Sequence, residues 1–199
     1  MIDSHFAILA AAIDLVGVSY YALETLRGKT KPNRVTWFLW AVAPLIAFTA
    51  QLNEGVTYQA ALTFVAGFGP VMVLLASFRD KQSYWRVTKF DLLCGVMSVL
   101  ALILWGLTKV GTVAIVLSIL ADGLAAIPTV VKVYRYPETE SPSAFLSGII
   151  AGGITLLTVQ EWTLANYGFA LYIMCICALI FILGIFPQLR LGKKARREA

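Results

Sequence analysis

Histidine is nearly absent from this chain, with His5 alone, and only 14% of its 199 residues are charged. With that single imidazole near the N-terminus, no Cys-His or Ser-His constellation can be assembled for nucleophilic or acid-base chemistry. The three cysteines, Cys94, Cys175 and Cys177, all fall inside apolar stretches and are too few and oddly numbered for a disulfide framework. Cys175-Ile176-Cys177 sends its two thiols to opposite sides of a helix, so the three read as small apolar fillers and not as metal ligands. No long polar linker and no low-complexity segment is present, and the last apolar stretch has no lysine to form a retinal Schiff base. No enzymatic activity, cofactor or metal is expected.

What fills the chain is apolar: 59% of residues are hydrophobic and the mean hydropathy is +0.80. Runs this long and apolar belong to an integral membrane protein with all-α spans. The first stretch lacks a basic leader and carries Asp14, so it is expected to stay as a helix and not to be cleaved as a signal peptide. Seven transmembrane spans are predicted, over 5–26, 34–51, 57–78, 88–107, 111–132, 143–160 and 164–187. Fifteen of the sixteen Lys and Arg residues fall in every second gap between these spans, and only Lys109 lies in another. Short loops rich in Lys and Arg stay on the cytoplasmic side, which predicts an outside N-terminus and an inside C-terminus. The net charge of +5 does not point to nucleic acid, because the basic residues sit at helix ends and in the tail Arg190, Lys193, Lys194, Arg196 and Arg197. Anionic lipid headgroups are the nearer partner of that tail. The expected location is the plasma membrane of a prokaryote, with the oligomeric state left open.

A weak internal repeat recurs at about 108 to 110 residues. Asp14 and Asp122 superpose at an offset of 108, Tyr58 and Tyr167 at 109, and Pro32 and Pro142 at 110. The repeat divides the chain into a first three-helix unit over 1–87, a linker helix over 88–110, a second three-helix unit over 111–189 and a basic tail over 190–199. With one helix between them, the two units run parallel, an arrangement that places a solute path at their interface near the midplane.

In its three-plus-one-plus-three order the chain resembles the PQ-loop and SWEET superfamily of small-solute transporters, over residues 5–187. The family's Pro-Gln signature followed by a polar turn is matched in the second unit by Pro128-Thr129 and the turn from Pro137 to Ser143, with Thr in place of Gln. Tyr20 stands where the first unit would carry its proline, and Pro187-Gln188 falls at the end of the last span, outside the motif's place. SWEET-like transporters bend at four prolines; Pro44 and Pro128 match two, and Gly152-Gly153 takes a third place, where a glycine pair can also bend a helix. Sugar-binding members are expected to carry Asn at mid-depth on the third helix of each unit. Here Thr63 and Gly67, and Tyr172 and Met174, stand there, which argues against a sugar. The resemblance implies a transporter working by alternating access through a central cavity. A receptor or assembly scaffold on the same fold is the alternative.

Asp14 and Asp122 are the sharpest candidates. A carboxylate at bilayer centre costs about 2.5 to 3.5 kcal/mol and marks a transport path or a proton relay, or else is held by hydroxyls of neighbouring helices. A cationic or zwitterionic solute, or a coupling proton, fits two such groups. Asp14, Gly17, Tyr21 and Glu24 share one helix face, as do Ser118, Asp122, Ala125 and Thr129. Tyr21 and Ser118 join the aspartates as candidate solute contacts, and Glu24 is either an inner gate or a surface partner of Arg27 and Lys29. Trp40, with Trp37 and Pro44 on its face, offers a wall for a ring or cation. Trp37, nearer the helix end, reads as part of the interfacial belt. Pro44, Pro128, Gly152 and Gly153 are the candidate hinges, and Gly67-Phe68-Gly69-Pro70 is expected to kink its helix or to serve packing. Tyr58, Asn166 and Tyr167 read as interface anchors or an outer gate.

Overall fold

Local signals set the helix ends. The first helix, α1 (Phe6–Leu26), ends where Gly28 takes φ 70°, with Gly28 N–H bonded to Thr25 O and Lys29 N–H to Glu24 O. The second, α2 (Arg34–Asn53), ends the same way at Gly55, φ 82°, with Val56 N–H on Gln51 O. Both are left-handed closures that glycine adopts without steric cost, and they satisfy carbonyls the helix end would leave orphaned. Asn33 opens α2 by accepting from Val35 N–H at 3.1 Å, in a loop it is buried beneath. Asn33→Ala should therefore lower thermal stability by about 1 kcal/mol, read as a fall in melting temperature.

Five more helices follow: α3 (Ala60–Arg79), α4 (Lys89–Thr108), α5 (Gly111–Arg135), α6 (Ser143–Leu157) and α7 (Leu164–Glu198), with one short 3₁₀ turn at Pro137–Thr139. This computed structural model describes residues 2–79, 85–108 and 110–198, with backbone alone at 105, 108 and 186–198. Lys81, Lys109 and the side chains of Pro187, Gln188 and the basic tail lie outside the described residues. Among the described residues the chain is all-helical, and α1, α2, α3, α5 and the Leu164–Ile185 part of α7 are each long and apolar enough to cross a membrane. It is an integral membrane protein. The predicted sixth span is corrected: α6 has 15 residues and stops at Leu157, where Thr158 turns back on Thr155 O. The fifth runs three residues further than expected, through Arg135.

The helices pack in a ring. α3 lies between α1 and α2, α7 lies between α5 and α6, and the ring closes through α1 against α6 and α2 against α5. Exchanging α1, α2 and α3 for α5, α6 and α7 maps this ring onto itself. α4 stands outside, on α5 and more lightly on α2, with Leu93, Val96, Leu100 and Leu104 exposed. The close approaches are made by small residues, as expected where apolar lipid supplies no drive for apolar helix faces to associate. Gly67 and Gly69 point to opposite sides of α3: a Cβ on the first would stand 2.7 Å from Leu45 of α2, and on the second 2.6 Å from Val18 of α1. Packing therefore explains the pair, and α3 is one continuous helix through Pro70.

The seam pairs run antiparallel. Along α1 and α6, Ile2 N–H bonds Leu157 O at 3.0 Å, Ser147 reaches Asp14, and Tyr21 reaches Glu140. Along α2 and α5, Trp40 Nε1 donates to Asp122 O at 3.2 Å and Thr36 Oγ1 to Ala125 O at 2.8 Å. Alternate loops therefore gather at one end. Lys31 N–H bonds Thr139 O at 2.9 Å and Trp85 N–H bonds Pro32 O at 3.1 Å there, among Arg27, Lys29, Arg34, Arg86 and Arg135. The opposite end carries Asp3, Glu54 and Glu161, and there Gln59 Nε2 donates to Thr158 O at 3.2 Å.

Candidate functional site: a central cavity between two aspartates

At the middle of the ring the chain leaves a cavity of about 70 Å³, bordered by Asp14, Trp37, Trp40, Asp122, Phe145 and Cys177 among others. That is room for about five waters. The two aspartates lie mid-helix on α1 and α5, 7% and 2% exposed, and both border the same space. Each has a hydroxyl partner. Ser147 donates to Asp14 Oδ1 at 3.0 Å and Tyr172 donates to Asp122 Oδ2 at 2.6 Å. Asp122 Oδ1 is buried without a hydrogen-bond partner. Hydroxyls of neighbouring helices thus anchor both carboxylates, and both residues border the cavity.

Toward the basic end the cavity floor is aromatic. Trp37 and Trp40 meet edge-on at 5.2 Å between ring centroids, and Phe145 stands 6.5 Å from Trp40. Trp37 is 2% exposed, with Nε1 buried and unpartnered, so it does not belong to the interfacial belt. The physical reason is that the Asn33 cap starts α2 inside the bundle, and the face shared by Trp37 and Trp40 turns toward α5 and not toward lipid.

Beneath that floor lies a polar plug. Tyr21, whose ring centroid is 4.8 Å from that of Trp37, donates through its hydroxyl to Glu140. Glu140 forms an ion pair with Lys132, and Lys132 Nζ donates to Lys31 O at 2.6 Å. Both side chains of the pair are buried, at 1% and 3% exposure. Tyr21 accordingly belongs to this plug and does not border the cavity. Lys132, one of the basic residues counted in the alternate gaps, is interior at the basic end, because α5 continues past it and the Pro137–Thr139 turn brings Glu140 back over it.

The other candidates are placed as follows. Ser118, Asp122, Ala125 and Thr129 form one buried face of α5 as predicted, but Ser118 lies a turn from Asp122 and does not border the cavity. Glu24 is half-buried, with Oε2 lacking a hydrogen-bond partner, and makes no ion pair with Arg27 or Lys29. Pro44 is buried within an unbroken α2, and Pro128 within an unbroken α5, where it borders a separate recess with Trp85, Asp91 and Tyr136. Gly152 lies against α7, where a Cβ would come 3.0 Å from Ala170 O, whereas Gly153 has only Met174 Sδ within 3.9 Å. At the far end Tyr58 stacks near His5 and Tyr167 near Trp162, as interface side chains do. Beside them His5, through its backbone N–H and then its ring, holds the exposed Asp3 carboxyl below its usual range.

Sequence reasoning missed Ser147, Tyr172, Phe145, Glu140 and Lys132 as parts of this centre. Tyr172 carried a signal, since it is a polar side chain at mid-depth of the last span. Comparison with protein-family models, curated proteins and solved structures finds no match. The site is therefore to be read from its own chemistry.

Proposed function

We propose that this protein is a transporter that moves a small solute bearing a cationic group by alternating access, with α1–α3 and α5–α7 as two parallel units joined by α4. In this reading the acidic end with the N-terminus lies outside the cell membrane and the basic end lies inside. One observation carries it: two mid-helix aspartates from different units border one central cavity. A buried carboxylate in a membrane is costly and is retained where it serves a path. Two carboxylates around one ammonium leave one negative charge over, which a proton on the second carboxylate balances, so the same pair supports proton-coupled movement.

Opening toward the basic side parts the seam contacts Tyr21–Glu140 and Lys132–Lys31. Opening toward the other side parts Ile2–Leu157 and Gln59–Thr158. The Asp14–Ser147 contact lies between the two sets and spans the α1–α6 seam, so solute held there can be passed from one opening to the other. Asp14→Asn and Asp122→Asn should each lower solute counterflow in proteoliposomes about ten- to a hundredfold, the effect of losing a charge-assisted contact. The melting temperature should change little, because Asn still accepts from Ser147 or Tyr172. If no solute in a panel of amines, amino acids, nucleosides and sugars moves, or both variants transport like wild type, the proposal fails.

A further inference from the structure

We infer that the solute is a compact zwitterion, bound with an N–H-bearing ammonium on Asp122 Oδ1 and a carboxylate on Trp37 Nε1. This rests on the transport reading only in taking the central cavity as the solute site. Of the buried side-chain polar atoms without a partner among the described residues, two belong to residues that border the cavity: the Trp37 ring N–H and Asp122 Oδ1. One is a donor that cannot accept, the other an acceptor. Ser118 Oγ, Thr129 Oγ1 and Thr155 Oγ1, also without partners, belong to residues elsewhere. Buried groups of this kind normally find a partner, and a cavity flanked by one of each sign calls for a ligand with one of each.

The register gives the orientation. Thr36 bonds the Ala125 carbonyl and Trp40 bonds that of Asp122, so Trp37 sits about one turn nearer the basic end than Asp122. The ammonium end is thereby held at mid-membrane beside both aspartates, and the carboxylate end faces the aromatic floor. A cavity of about 70 Å³ favours a compact solute such as glycine, alanine or β-alanine. A quaternary ammonium has no N–H for Asp122, and a simple amine leaves Trp37 unpaired.

Calorimetry on the full chain in nanodiscs tests this with alanine, ethylamine, glycine betaine and glycerol. Alanine should bind, and the other three should bind at least tenfold more weakly. Trp37→Phe, which keeps a ring and removes the N–H, should weaken alanine about tenfold and leave ethylamine unchanged. Ethylamine, betaine or glycerol binding as tightly as alanine overturns the inference, as does Trp37→Phe binding alanine like wild type or no binding of alanine at all. The ligand series on the unmutated protein decides the point even if that variant does not fold. Counterflow separates the two claims: alanine that binds but is not moved sinks transport and keeps the ligand class, whereas ethylamine that moves while alanine does not bind keeps transport and sinks the ligand class.

Discussion

Lys132→Met is expected to destabilise the protein by about 3 to 5 kcal/mol, the usual result of removing one partner from a buried ion pair. Glu140 would remain, 3% exposed at its side chain, with the Tyr21 hydroxyl as its one donor and no compensating charge among the described residues. Lys31 O would lose its bond as well. Glu140→Gln should be milder, since a neutral amide can still accept from Tyr21. The double variant Lys132→Met with Glu140→Gln is expected to regain most of the loss, because two uncharged side chains leave no buried charge to desolvate. Equilibrium unfolding of the four proteins reads this out as a double-mutant cycle. A Lys132→Met protein that unfolds like wild type would mean that the pair is wet and the plug is not closed.

Gly152→Val should be nearly as damaging, about 3 kcal/mol, at the top of the range for overpacking. The new Cβ would lie 2.8 Å from Met174 Cβ, 3.0 Å from Ala170 O and 3.2 Å from Met174 Cα. Two of those three atoms are backbone, so relief requires α6 to move off α7 and not merely a rotamer change. Gly153→Ala makes the contrast, with only the flexible Met174 thioether within 3.9 Å. It should leave stability unchanged or raise it by about 0.5 kcal/mol through the unfolded chain. If Gly153→Ala nonetheless stops counterflow while melting like wild type, this pair bends during transport and does more than let two helices touch.

The apolar spans and the depth of the aspartates were legible because both depend on local composition. A run of apolar residues reports its own length, and a lone carboxylate within it reports its own cost. The residues around the aspartates were not legible, because their roles come from the seams. Nothing local marks Ser147 from any other helical serine; it becomes a partner because α6 runs antiparallel to α1. Trp37 was misplaced because position near a helix end was taken for position at the surface. The loops at the basic end fold back over the bundle, with Lys31 bonded to Thr139 and Trp85 to Pro32, and so bury what lies a turn inside them. Glu140 follows Lys132 by eight residues, but whether such a pair is solvated or interior depends on that return.

The shortness of α6 has a consequence for the surrounding bilayer. Fifteen residues rise about 22 Å, some 8 Å less than a typical hydrocarbon core of about 30 Å. Leu146, Ile150 and Leu157 are exposed on its outer side. Under the proposed topology, lipid beside α6 thins to match it, at fractions of a kcal/mol for each ångström, while the longer α1 and α5 demand no such adjustment. Acyl-chain length thus becomes a variable acting on one seam of the ring. Thin membranes relieve the helix that carries Ser147, and thick ones strain it against the helix that carries Asp14.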